Sequence, residues 1–90
     1  MNPQEDRRGM IADWHIRTQR ARANYFNASE RRHRLAEELR LHPVPYHDGG
    51  FVVERARRAE SLALAQYRRV LQIYELVIRG ENPPVEDENG

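Results

Sequence analysis

His42-Pro43-Val44-Pro45-Tyr46-His47-Asp48-Gly49-Gly50 interrupts two long segments that are each patterned for helix. Pro43 lacks an amide donor and restricts the residue before it, so a helix arriving from the N-terminal side should stop at about His42. Gly49-Gly50 reads as a turn, and Asp48 is available to cap a second helix that starts near Gly50. A connection over 43–50 is short enough to fold the two helices back into an antiparallel αα-hairpin.

Upstream of this break, Asn2, Pro3 and Glu5 make an orthodox helix start: a cap, a first-turn proline and a capping-box acid. From there to His42 one heptad runs unbroken. Ile11, Thr18, Tyr25, Arg32 and Leu39 share one position, and Trp14, Ala21, Ala28, Leu35 and His42 share the other. The seam is thin in the middle, where Thr18, Ala21, Ala28 and Arg32 offer little apolar area, so a partner helix should approach closely there. A second capping-box match, Asn27 with Glu30, and another cap candidate, Ser29, raise the alternative of a break near Asn27 and three helices. Continuity is favoured because Ala28 and Leu35 stay in phase with Ile11 and Trp14.

Downstream, the second helix should run from about Gly50 to Arg79, with Gly80 supplying the positive φ that follows many helix ends. Its apolar face is narrow from Val52 through Ala56, Ala59 and Ala63, then spreads almost around the circumference from Val70 to Ile78. A hairpin covers only one stripe of each helix, so this block asks for a further neighbour. A second copy, giving a two-fold four-helix bundle of coiled-coil type, is the simplest cover, and a different protein is the next. The expected architecture is therefore all-α: one helical domain over residues 1–80, with helices at about 3–42 and 50–79 and a turn over 43–50, followed by an acidic flexible tail over 81–90.

Ninety residues with 39% apolar content support one modest core and no second domain. With no cysteine, disulfides, thiolate metal sites and cysteine nucleophiles are excluded. No apolar run approaches the roughly 18 residues of a membrane span, and Met1 to Asp6 is polar where a signal peptide is apolar. A cytoplasmic protein with no membrane partner is expected. Neither a phosphate-cradling glycine loop nor a nucleophile motif occurs, so no enzymatic activity, catalytic residue or small-molecule substrate is expected. His33 with Glu37, and Glu38 with His42, stand four apart near His47, but the spacing is that of ordinary helix-surface pairs, and no metal or cofactor is expected.

All fifteen basic residues are arginine, set against fourteen acids for a net charge of +1. The neutrality is polarised: Trp14 to Arg34 carries six arginines and one glutamate, whereas Gly80 to Gly90 carries four acids and no base. Arg17, Arg20, Arg31 and Arg34 recur with Asn24 and Asn27 at helical spacing, forming a stripe away from the seam that suits an acidic partner or a polyanion. Trp14, Tyr25, Tyr67 and Tyr74 read as core aromatics, whereas Phe26 stands off the seam as a partner anchor.

In length and hairpin shape the chain resembles the small secreted WXG-type helical hairpins. That family carries Trp-x-Gly in the turn, whereas here Trp14 lies in the first helix and Ile16 stands two positions on, so the resemblance covers shape alone and carries no functional residue across. The function expected from the residues is non-enzymatic: an assembly, adaptor or inhibitor subunit that self-associates or binds another protein through Val70, Leu71, Tyr74, Val77, Ile78 and Phe26. The alternative is a nucleic-acid binder using Arg17, Arg20, Arg31 and Arg34.

Overall fold

The computed structural model describes residues 3–43 and 48–84. Two helices, α1 over Pro3–Leu41 and α2 over Asp48–Ile78, pack against each other, with no strand among the described residues. At 1.5 Å per residue a helix of 39 residues is about 58 Å long, which accounts for the molecular dimensions of 63 × 24 × 18 Å. A helix with its side chains is about 10–12 Å across, so a thickness of 18 Å leaves no room for a second layer.

α1 is continuous through Asn27, and the capping-box match there starts no new helix. Glu30, the acid of that match, accepts instead from Arg34 Nη2 at 2.9 Å. α1 ends at Leu41, one residue earlier than Pro43 requires, with the His42 amide still donating to the Glu38 carbonyl at 2.8 Å. α2 begins at Asp48 and takes Gly49 and Gly50 into its first turn, a correction to their reading as a turn. Glycine is tolerated at a helix start, where the first amides need no partner within the helix. The expected cap Asn2, Val44 to His47 of the connection and the tail Val85 to Gly90 lie outside the described residues.

The C-terminus of α2 is closed by backbone geometry. Gly80 has φ 95°, its amide donates to the Val77 carbonyl at 3.1 Å, and the Glu81 amide donates to the Leu76 carbonyl at 2.9 Å. This is a Schellman closure, which satisfies two of the carbonyls that every helix end leaves open. A Cβ on Gly80 would meet Arg7 Nη2 at 3.6 Å, ordinary contact, so only the positive φ opposes a side chain there. Gly80→Ala should therefore destabilise the hairpin by roughly 1–2 kcal/mol, read as a lower urea midpoint at unchanged helix content. An unchanged midpoint would show that the closure contributes nothing.

Cross-helix pairs step in opposite directions along the two chains: His15 meets Tyr74, Tyr25 stacks on Tyr67 at 6.4 Å between centroids, and Arg32 meets Glu60. The packing is antiparallel. Along α1 the heptad seam is the inner face, with Trp14, Thr18 and Ala21 buried and Ile11, Tyr25, Ala28, Arg32, Leu35 and Leu39 half-buried. The matching seam of α2 runs Val53, Ala56, Glu60, Ala63, Tyr67, Val70, Tyr74 and Val77, all buried or half-buried. Buried Thr18 satisfies its hydroxyl by donating to the Trp14 carbonyl at 2.8 Å. Apolar burial is lopsided: Trp14, Ile73 and Val77 form the centre of the core, flanked by Met10, Ile11, Val70 and Tyr74, all at the end away from the connection.

Candidate functional site

Because the hairpin is one layer thick, both of its broad faces are surface, and the six apolar residues singled out from the sequence divide between inside and outside. Val77 is 0% exposed and faces the Trp14 cluster, with Val70 and Tyr74 packed half-buried beside it. These three belong to the intramolecular core. Leu71, Ile78 and Phe26 are 36%, 55% and 53% exposed. By heptad register Leu71 and Ile78 flank the α2 seam on the side that Phe26 occupies on α1, so the three share one broad face. Arg22 lies over the Phe26 ring at 5.3 Å, and Tyr25 contacts its edge.

The opposite face is a shallow groove between the helices. Nearer the core end it is lined by Trp14, Ala21, Leu62, Ala63 and Val70, with Arg17, Arg20, Asn24 and Gln66 at the rim. Nearer the connection it is lined by Ala28, Leu35, Val52, Ala56 and Ala59, with Asn27, Arg31 and Arg55 at the rim. The two hollows measure about 470 and 540 Å³, and among the described residues neither lining contains an acid. Leu62 and Val52 stand 72% and 45% exposed in it.

The arginine stripe borders this groove, but its members differ in what they already touch. Arg17 pairs with Asp13 at 3.1 Å and lies over the Trp14 ring at 4.5 Å. Arg34 pairs with Glu30 at 2.9 Å and lines neither hollow. Exposed pairs one helical turn apart contribute only a few tenths of a kcal/mol, yet they halve the free charge of the stripe. Arg20 and Arg31 make no ion pair among the described residues, and the same is true of Arg55, which lines the connection-end hollow with Arg31 from α2.

Three further residues carry contacts that composition and spacing did not single out. Arg7 reaches from the start of α1 to the end of α2, donating from Nη2 to the Val77 carbonyl at 2.7 Å and, more distantly, to the Glu81 carbonyl at 3.5 Å. A cation on a helix C-terminus meets the negative end of its dipole, so Arg7 fastens the open end of the hairpin. Arg32 Nε donates to Glu60 Oε1 at 2.8 Å from within the seam, both side chains largely shielded. The visible signal for that pair was a lone charge on an otherwise apolar heptad position, which needs an opposite charge across the interface.

Glu60 is held below the usual carboxylate range, chiefly by the Ser29 hydroxyl and then by the Arg32 guanidinium. A lowered folded-state value means that the unfolded chain takes up the proton first as pH falls. The stabilisation from Glu60 is thus complete above the ordinary carboxylate range, at about pH 4.3, and disappears as pH drops through the folded-state value. Melting temperatures of wild type and Glu60→Gln should differ most near neutral pH and converge as pH falls below the ordinary carboxylate range. A gap that stays constant with pH would remove the ionised carboxylate from the account.

Among the described residues no three His, Asp or Glu side chains gather as metal ligands, and no helix is long and apolar enough to cross a membrane. Compared with protein-family models, with curated proteins and with solved structures, the chain matches none.

Proposed function

We propose that the protein is a non-enzymatic helical interaction module, an assembly, adaptor or inhibitor subunit, whose hairpin self-associates through the face carrying Leu71, Ile78 and Phe26. One observation supports this reading above the others. The buried apolar side chains are Trp14, Ala21, Ala56, Ile73 and Val77, two of them alanines, whereas Ile16, Phe26, Leu41, Phe51, Val52, Leu62, Leu71 and Ile78 are all exposed. Among the described residues, more large apolar side chains are exposed than fully buried. A chain this small gains only about 3–5 kcal/mol from a single core, so covering further apolar area in an assembly contributes a large share of its stability.

A four-helix bundle of two hairpins is the form this takes, with the faces of two copies back to back. Folding coupled to assembly makes the melting temperature rise with protein concentration, whereas a self-sufficient monomer melts at one temperature. Melting curves at two concentrations tenfold apart should shift by several degrees for wild type and by much less for Leu71→Asp. Concentration-independent melting of wild type would refute self-association.

The second reading, a nucleic-acid binder, draws on the stripe of Arg17, Arg20, Arg31 and Arg34. Its electrostatic footprint is reduced, since Asp13 and Glu30 already pair with Arg17 and Arg34. Phosphate contacts give an affinity that falls steeply with salt, so absence of binding to both duplex and single strands at about 50 mM salt eliminates this reading.

A further inference from the structure

We infer that the inter-helix groove on the other face is a docking site for an acidic amphipathic helix of a partner protein, completing a third helix against the hairpin. The inference rests on the reading of the chain as an interaction module and supplies the chemistry of its partner. The two hollows follow one another on this face from Trp14 to Leu35 along α1, a span of about 30 Å at 1.5 Å per residue, the length of roughly 20 helical residues.

Its floor and rim demand different things of an occupant. Leu62 and Val52 are 72% and 45% exposed and require apolar side chains in a strip. Among the described residues, Arg20, Arg31 and Arg55 make no ion pair beside that strip and no acid lines it. A helix with leucines at positions a and d and carboxylates flanking them meets both demands, each arginine offering a two-pronged contact to a carboxylate.

Other occupants meet only one. A phosphate backbone answers the arginines and leaves Leu62 and Val52 facing a polyanion. A second copy laid groove to groove answers the apolar strip but brings the same Arg20, Arg31 and Arg55 with it; cation would face cation. The chain's own segment Glu81 to Gly90 is acidic but offers one aliphatic side chain, Val85, beyond its two prolines.

The test uses the full-length chain and two labelled peptides of about 21 residues, matched to the groove. Both carry Leu at heptad positions a and d and no tryptophan; one has Glu at e and g, the other Lys. Binding is followed by anisotropy and by emission of Trp14, the single tryptophan, which lies in the groove wall. The Glu peptide should bind and shift Trp14 emission, with the Lys peptide at least tenfold weaker. Arg31→Glu/Arg55→Glu, which breaks no ion pair of the hairpin and should keep its circular dichroism, should weaken the Glu peptide roughly tenfold and admit the Lys peptide.

Equal binding of the two peptides, or an affinity for the Glu peptide unmoved by the double variant, would overturn the assignment. So would tighter binding of a 20-base-pair duplex than of the Glu peptide at about 150 mM salt, which would give the arginines to phosphate. Peptide binding seen only after deletion of Glu81 to Gly90 would give the groove to the chain's own tail, with the same consequence. If no peptide binds while melting remains concentration-dependent, the groove assignment fails and the self-association reading stands.

Discussion

Trp14→Ala should leave the chain largely unfolded at 25 °C. Trp14 is 5% exposed and packs with Ile73 and Val77, at 4% and 0%, and among the described residues this is where large apolar side chains are buried together. Truncating a buried tryptophan typically costs about 3–5 kcal/mol, and a single core of this size supplies about that much in total. Nothing along the rest of the seam compensates, because Thr18, Ala21 and Ala56 bury little area per residue. The loss should appear as a collapse of the helical circular-dichroism signal, with Trp14→Phe retaining most of it. A Trp14→Ala chain that melts within a few degrees of wild type would mean that the stability resides elsewhere.

The second large effect separates two residues six apart on α2. Val77→Asp should abolish folding, since Val77 is 0% exposed and an unpaired carboxylate at that site loses its hydration without a partner. Leu71→Asp should keep the hairpin helical, since Leu71 is 36% exposed and its new charge can reach water. Helix content measured at one protein concentration distinguishes the two directly. Equal helix loss in both variants would indicate that Leu71 is as integral to the fold as Val77, and that assembly and folding cannot be separated.

That contrast also marks how far the sequence was legible. The α1 seam from Ile11 to Leu39 could be read at single-residue level, because an unbroken heptad between a proline-marked start and a proline-marked stop admits one inward face. The end of α2 at Gly80 was equally readable, since glycine alone takes φ 95° without strain.

The rotational phase of α2 was not readable. An apolar block that spreads around the helix has no preferred inward direction of its own, so Val70, Leu71, Tyr74, Val77 and Ile78 looked equivalent. The phase is set further back, where Ala56 and Ala63 allow close approach and Glu60 meets Arg32 at 2.8 Å. Glu60 interrupts the seam with a charge, and a charge on a helix ordinarily reads as surface. Arg7 left no local signal at all, because its acceptor, the Val77 carbonyl, lies 70 residues away and belongs to the backbone. The groove was half legible: Arg20 and Arg31 stood out in the stripe, but Arg55 joins them only once the hairpin is closed.

The measurement that bears most directly on the account is the solution mass by light scattering across a tenfold dilution. The chain weighs 10.7 kDa. A species of at least twice that mass, reduced towards the single chain by Leu71→Asp with helix content retained, is the predicted result. A folded single chain of wild type at every concentration would contradict self-association through the Leu71, Ile78 and Phe26 face.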